Sequence, residues 1–363
     1  MAFIAPGSIG HTVKWLNSLA HENLNITLIT QHKVIDSIDS RVSIRYLPFS
    51  GGKGYILNSL ALHWEIKKLR PDVINVHYAS GYGTLALLAK IKPYILSVWG
   101  SDVYEFPYQS KFKFWLIKQS LKSAKHIAST SHAMAEQVKL ILDDESLVIA
   151  ITPFGVDMQR FGCTQQPFRS DSITIGIVKR LEHKYGIDLL INAFADTKQH
   201  FLKTNSDIGA KLKLMIVGDG SLESELIELT KDLKISEQVE FVGAVDNSQV
   251  PDYINKMDVF VVPSRIESFG VAAIEALACE RPCIVANTGG LPEVVNDKRT
   301  GIVAEYESIQ SLVESVIEVV ENQQFAIEMG INGRKDVITK YSQQAAVSAM
   351  TDLYLSSCDG KNI

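Results

Sequence analysis

The sequence predicts an α/β protein of two Rossmann-like domains facing across a cleft. Three observations lead there: the length, an alternation of strand and helix signals, and a restart of that alternation past the middle. At 363 residues the chain exceeds the usual size of a single hydrophobic core. Short apolar runs alternate with amphipathic stretches, a pattern that specifies parallel sheets joined by helical crossovers. With 46% hydrophobic and 21% charged residues and no low-complexity stretch, nearly the whole chain is expected to fold.

In the first half, Phe3 to Pro6 reads as a short strand, Gly7-Ser8-Ile9-Gly10 as a glycine-containing turn, and Thr12 to His21 as a helix. Apolar runs at 25–30, 42–47, 73–76, 94–98 and 126–129 follow as buried strands, separated by helical stretches such as 57–69 and 85–90. Turn formers gather at 153–168, the expected interdomain linker. The grammar then restarts with strands at 173–178, 212–217, 239–242, 259–262 and 282–286. Helices are expected at 187–194, 222–233, 250–255, 271–279 and 292–295. The expected domains are 1–160 and 161–341, with the segment 342–363 forming a helix that packs back on the first.

Composition excludes several classes. The four cysteines, Cys163, Cys279, Cys283 and Cys358, form no CxxC pair and no zinc-spaced cluster, so reduced thiols and no structural metal are expected. No apolar run approaches the ~20 residues that span a bilayer, and no signal peptide is visible, which predicts a cytosolic protein. Residues 1–165 carry 17 Lys+Arg against 12 Asp+Glu, a net +5, whereas the remainder is at −10. The basic half is expected to face something anionic.

In open α/β sheets ligands sit beyond the carboxyl ends of the strands, so the loops after the strands of the second half are the ones to search. Four stand out. Lys179-Arg180-Leu181-Glu182-His183-Lys184-Tyr185-Gly186 places Arg180 and Lys184 where two fixed cations would meet the charge of a departing diphosphate; an exposed basic turn is the other reading. Val217-Gly218-Asp219-Gly220-Ser221 is a strand ending in a glycine turn, which speaks more for the fold than for a ligand. The run from Pro263 to Ala278 holds Glu267 in a loop, a helix start near Gly270 suited to a diphosphate, and Glu275 interrupting small apolar residues. A carboxylate there is costly unless it accepts hydrogen bonds, and ribose hydroxyls would donate them. Asn287-Thr288-Gly289-Gly290-Leu291-Pro292-Glu293 pairs two glycines before a helix, either to let backbone approach a ligand or as a plain tight connection.

Together these residues resemble the retaining glycosyltransferases of family 4 (glycosyl transferases group 1), whose architecture is GT-B. Glu267 and Glu275 match the Glu-x7-Glu signature, Pro153-Phe154-Gly155-Val156-Asp157 the linker, Arg180 with Lys184 the basic pair, and Val217 to Gly220 the glycine turn. Val239-Glu240-Phe241-Val242-Gly243 resembles the strand that meets the nucleotide base, and the resemblance covers almost the whole chain. It implies metal-independent transfer, with retention, of a hexose or N-acetylhexosamine from a nucleotide-sugar, UDP-sugar before GDP-mannose. The nucleotide-sugar is a co-substrate and no cofactor is implied; the absence of any Asp-x-Asp agrees. Arg180, Lys184 and Glu267 are the implied catalytic residues. Gly10, Val242, Ser268, Phe269, Gly270, Val271 and Glu275 are the implied donor-binding ones. The acceptor would be a saccharide or a lipid-linked one, as in bacterial surface polysaccharide synthesis. Where many relatives carry His before Gly-x-Asp, this chain reads Trp99-Gly100-Ser101-Asp102. His11 or His77 would supply the missing imidazole, with Asp102 beside the acceptor.

Three rivals stand beside this reading: a sugar-nucleotide epimerase, a pyridoxal-phosphate phosphorylase, and a non-catalytic nucleotide-sugar-binding partner of a glycan assembly complex. The full Glu267 to Glu275 motif argues against the first, length against the second, and the intact Arg180, Lys184, Glu267 and Glu275 against the third. No nucleic-acid partner is expected. The stretch Tyr108 to Lys125 mixes five lysines with Phe112, Phe114, Trp115 and Leu116 and holds no acidic residue. It reads as a helix docking on an anionic membrane surface, at the inner face of the cytoplasmic membrane, or as a domain helix with solvated lysines.

Overall fold

The computed structural model describes residues 1–22 and 24–358; of the expected C-terminal segment, residues 359–363 lie outside the described residues. The chain divides into two compact units. One comprises Met1–Phe154 with the C-terminal segment from Gln343, the other Gly155–Ser342.

The first unit holds a seven-stranded sheet of β1 (Ala2–Ile4), β2 (Thr27–Thr30), β3 (Ser43–Tyr46), β4 (Ile74–His77), β5 (Ile95–Ser97), β6 (His126–Ser129) and β7 (Ala150–Ile151), in the order β3-β2-β1-β4-β5-β6-β7. The second holds six strands, β8 (Ile173–Val178), β9 (Leu212–Val217), β10 (Val239–Gly243), β11 (Val259–Val262), β12 (Cys283–Ala286) and β13 (Gly301–Ala304), in the order β10-β9-β8-β11-β12-β13. Every strand pairing in both sheets is parallel. Parallel strands covered on both faces must be apolar throughout, and β11, Val-Phe-Val-Val, is buried at every position. The first core joins Ile4, Ile29, Val76 and Leu96 of the strands to Leu62, Leu85, Ile117 and Val138 of the helices. The second joins Ile175, Ile177, Leu214 and Val261 to Leu190, Phe194, Val316 and Val320.

Most expected elements are present, and the exceptions have local causes. The helix expected over 57–69 is two, Gly51–Leu57 and Ser59–Leu69. They meet at Asn58, whose buried amide donates to Gln31 Oε1 at 2.9 Å and to the carbonyl of Phe49 at 2.7 Å. The strands β7 and β13 and the helices His132–Leu142, Ile309–Glu321 and Gln323–Asp336 were not anticipated. The segment 155–168, read as linker, is folded into the second unit: Phe161 is buried and the amide of Phe168 donates to Asp258 Oδ1 at 2.6 Å.

The helix Gln343–Ser357 lies in the first unit, packed on the helix Gly10–Leu19. Its Ala346, Val347, Met350 and Tyr354 are buried, and Tyr354 Oη accepts a hydrogen bond of 2.9 Å from Asn75 of β4. Among the described residues no helix is long and apolar enough to cross a membrane.

Candidate functional site

In each sheet the strand order reverses once, between β1 and β4 in the first unit and between β8 and β11 in the second. Crossovers leave toward opposite faces on either side of such a point, which opens a crevice beyond the carboxyl ends of the two strands. The four loops singled out above follow β8, β9, β11 and β12, so they gather around the second unit's reversal.

Glycine is what lets them gather. A Cβ on Gly218 would stand 2.0 Å from the carbonyl oxygen of Lys179, and one on Gly289 would stand 1.6 Å from that of Glu267. Both residues adopt positive φ, +136° and +51°. The close approach permitted by Gly218 and the Gly289-Gly290 pair is therefore made to neighbouring loops, and it holds the segments of Lys179 and Glu267 at fixed heights. Arg265 ties the same arrangement together. Its guanidinium grips the carboxylate of Asp188 with two bonds of 2.8 and 2.7 Å, meets Glu307 at 2.5 Å and donates to the carbonyl of His183 at 2.8 Å. The bidentate bond to Asp188 holds the Arg265 pKa above its ordinary range.

At the centre Lys179 Nζ lies 2.6 Å from Glu267 Oε2, with the side chains 14% and 10% exposed. Burial works against the Lys179 charge, but the Glu267 carboxylate outweighs it and raises the ammonium pKa; the charge of Glu275 adds to that effect. Lys179 also lies over the ring of Tyr185, 4.6 Å from its centroid. The sequence reading assigned Lys179 no role. Its signal was available: a lysine set directly after an apolar strand that ends in a ligand-facing loop.

Arg180 and Lys184, the expected pair, sit differently. Arg180 is 63% exposed and bonds Glu182 Oε1 at 3.2 Å, and Lys184 is half-buried with its Nζ 3.5 Å from Glu182 Oε2. Glu182 thus bridges the two cations and holds them near each other. The carbonyl of Lys184 accepts from the amides of Arg265 and Ile266 at 2.8 and 3.1 Å, which ties the basic loop to the Glu267 loop.

Beyond Glu267 the chain passes through Gly270, at φ +110°, into the helix Val271–Ala278, whose first turn has amides with no intrahelical acceptor. Glu275 and Val271 are half-buried on it, and Ser268 is half-buried in the loop before it. Phe269 is 2% exposed and its ring meets Tyr341, so at this position only backbone can face a ligand. Val242 falls at a bulge in β10: Phe241 pairs with Ile216 and Gly243 with Val217, which leaves Val242 without a ladder partner.

In the first unit His11, His77 and Asp102 all gather around Trp99, whose ring lies 6.3 Å from that of His11 and 5.0 Å from that of His77 and whose amide bonds Asp102. Gly10 opens its helix with free space where a Cβ would be. The His11 ring stacks on Phe154 at 4.6 Å. His77 is 0% exposed, stacked on Phe3 at 4.1 Å and edge-on to Trp99 at 5.0 Å. Neither of its ring nitrogens has a partner, and burial pushes its pKa down to about 3. Asp102 is 1% exposed; its Oδ2 accepts from the amide of Ala79 at 2.9 Å and its Oδ1 from those of Trp99 and Gly100 at 3.1 and 2.9 Å. Burial raises the Asp102 pKa against these bonds. His77 and Asp102, expected on the acceptor side, are thus both buried: His77 packs between the rings of Phe3 and Trp99, and Asp102 staples the loop after β5 to Ala79, just beyond β4.

Comparison with known proteins gives a consistent family. Residues 164–336 match the family described as glycosyl transferases group 1, and residues 1–131 the family described as glycosyl transferase 4-like. An uncharacterized glycosyltransferase of Methanocaldococcus jannaschii is 27% identical over 308 residues, 84% of this chain and 81% of the relative. A putative teichuronic acid biosynthesis glycosyltransferase of Bacillus subtilis is 28% identical over 269 residues, 71% of this chain and 63% of the relative. Among solved structures, sucrose-phosphate synthase from Thermosynechococcus elongatus superposes with a TM-score of 0.80 at 19% identity, covering 98% of each chain. Anabaena HepE in complex with UDP-glucose superposes with a TM-score of 0.77 at 14% identity, covering 98% of this chain and 99% of that one.

Proposed function

The chain belongs to the glycosyl transferases group 1, with the two-domain α/β architecture of the GT-B glycosyltransferases, and from that premise we propose that it transfers a hexose or N-acetylhexosamine with retention from a nucleotide-sugar, a UDP-sugar before GDP-mannose. The observation that carries this reading is the convergence of the Arg180 and Glu267 loops and the helix of Glu275 on the strand-order reversal of the second unit. A relative solved with UDP-glucose supports the choice of donor, and one named for teichuronic acid biosynthesis supports bacterial surface polysaccharide as the setting.

The second unit binds the donor. Arg180 and Lys184, held together by Glu182, meet the diphosphate as the anomeric bond breaks, in the manner of preorganised cations at a site of developing charge. The amides opening the helix at Val271 take the diphosphate oxygens, Glu275 takes the ribose hydroxyls, and the bulge at Val242 frees backbone to meet the base. Glu267, fixed by Lys179, touches the donor sugar. The first unit, with Gly10 and His11 at its opening helix, binds a saccharide or lipid-linked acceptor. Charge neutralisation by the chain's own cations makes the reaction independent of metal, with the nucleotide-sugar a co-substrate and no cofactor, and the enzyme acts in the cytosol.

Incubation of the purified chain with UDP-glucose, UDP-N-acetylglucosamine and GDP-mannose tests this. Nucleoside diphosphate should be released from at least one donor in the presence of EDTA. Arg180→Ala or Lys184→Ala should slow it roughly a hundredfold, ~3 kcal/mol of lost charge stabilisation. Loss of activity in EDTA that Mg²⁺ restores contradicts the metal-free mechanism.

A further inference from the structure

The segment after β2 holds the glycine loop after β1 from two sides. The amide of Gly7 donates to Thr30 Oγ1 at 3.1 Å, and the Gly7 carbonyl accepts from the amide of Ile35 at 3.3 Å. A Cβ on Gly7 would stand 3.0 Å from the side chain of Val34 and 3.3 Å from the carbonyl oxygen of His32, so the two segments lie in contact. Thr30 is 0% exposed and Tyr82 1%. Behind Thr30 the hydrogen bonds continue, from Thr30 Oγ1 to Tyr82 Oη at 3.0 Å and from Tyr82 Oη to His32 Nδ1 at 2.8 Å.

Fixed amides give this chain a direction. A hydroxyl oxygen accepts two hydrogen bonds and donates one. Thr30 Oγ1 accepts from the amides of Gly7 and His32, each at 3.1 Å, so its lone pairs are filled and its own proton goes to Tyr82 Oη. Tyr82 Oη also accepts from the amide of Gln31 at 3.0 Å, which fills it in turn and sends its proton to His32 Nδ1. The chain therefore ends on a neutral imidazole whose proton sits on Nε2. A proton on Nδ1 reverses the order. Tyr82 must then accept from His32 and donate to Thr30, which faces three donors with two lone pairs and can turn its own proton only to the His32 carbonyl at 3.5 Å. One amide has to leave. That of His32 is two residues from Thr30, in a local turn, whereas that of Gly7 comes from a segment 23 residues away, so Gly7 is the one released.

We infer that Thr30, Tyr82 and His32 are positioning residues for the glycine loop, and that a proton on His32 frees the loop's anchor at Gly7. That the loop serves sugar transfer rests on the glycosyltransferase reading; the tether itself does not. Gly7 to Gly10 lead into the helix Gly10–Leu19, so release of Gly7 loosens the entry to that helix. His32 is open to solution protons: it is half-buried and lines a cavity of about 540 Å³ together with Ser8 of the same loop. The titratable rings against it are Tyr55 of the helix Gly51–Leu57, at 6.1 Å, and Tyr82 of the helix Tyr82–Leu88, at 5.7 Å. Tyr78 lines the cavity as well. Among the described residues no Lys, Arg, Asp or Glu lines it, and Lys33 beside His32 and Lys53 on the helix of Tyr55 are exposed. Burial lowers the His32 pKa and raises that of Tyr82, so at neutral pH the loop is tethered.

Hydrogen exchange at the Gly7 amide of the full chain, from about pH 8 to about pH 5 and corrected for the intrinsic rate, tests this beside the NMR titration of the His32 ring. The ring signal is assigned by its loss in His32→Asn. Protection of Gly7 should fall about tenfold, as for the loss of one hydrogen bond, with the midpoint of the His32 ring and below about pH 6.5. Tyr82→Phe keeps the ring and cuts the chain, so protection of Gly7 should no longer follow pH, and Thr30→Val should leave it low throughout. Amides of β5 serve as the reference, and His77, present in every variant, brings the same acid effect on the whole fold to each. Unchanged protection of Gly7 across the His32 titration, or the wild-type pH dependence surviving in Tyr82→Phe, would overturn the proposal. A pH-dependent tether in a chain that releases nucleotide from no donor would instead overturn the glycosyltransferase reading and leave the tether standing.

Discussion

Lys179 is the residue on which the proposed donor site turns, because a carboxylate as buried as Glu267 keeps its place only while a cation holds it. Lys179→Met should destabilise the fold by ~3–5 kcal/mol in urea unfolding, since it leaves the Glu267 carboxylate buried without its cation, and Lys179→Arg should restore part of that stability. Glu267→Gln should mainly slow transfer while Glu275→Gln weakens nucleoside diphosphate binding. Equal effects of the two on diphosphate affinity, measured by calorimetry, contradict that division. His77 makes a separate prediction about stability. Unfolded, its ring takes a proton as the pH falls through about 6.5, whereas burial holds the folded ring unprotonated down to about 3. The unfolded chain therefore binds more protons in that window, so stability falls with falling pH from about 6.5 and levels off near 3. Between about pH 7 and pH 4, wild type should lose roughly 2–4 kcal/mol more than His77→Phe in urea unfolding; parallel pH profiles would refute the assignment.

At the scale of elements, the loops matter more than the helices and strands that present them. Gly289→Ala puts a methyl group where the carbonyl of Glu267 stands and forces alanine to a φ of +51°. The Glu267 loop must then retreat, so turnover should drop about tenfold and the melting temperature by several degrees, in keeping with ~1–3 kcal/mol of strain. Wild-type turnover in that variant would show that the loop contact is dispensable. This contact also marks the limit of what a sequence discloses. The paired glycines were legible as a turn, but whether they make room for a ligand or for another loop depends on which strands are neighbours. Elements with long apolar periods, such as β8, β9 and β11, were readable residue by residue. The two-residue β7 carries no period at all. The helix break at Asn58 depends on Phe49, nine positions away, and on Gln31, 27 positions away. Lys179 was visible as a lysine directly after an apolar strand, but its partner Glu267, 88 positions away, was not.

Over the whole molecule, each unit has its own parallel sheet and a single strand-order reversal, and the charge divides between the halves, +5 over residues 1–165 and −10 over the rest. The Glu-x7-Glu motif made the family legible without coordinates. The burial of His77 and Asp102 was not legible, because the rings and amides that enclose them, from Phe3, Ala79 and Trp99, come together only in the fold. The central claim is that the nucleotide-sugar is held by the loops after β8, β9, β11 and β12 together with the end of β10. Hydrogen exchange of the full chain with and without saturating UDP or GDP tests it most directly. Protection by one of the two, concentrated at 179–186, 218–221, 242–243, 264–275 and 287–293, is the predicted result. Protection confined to other segments, or none with either nucleotide, would contradict the account.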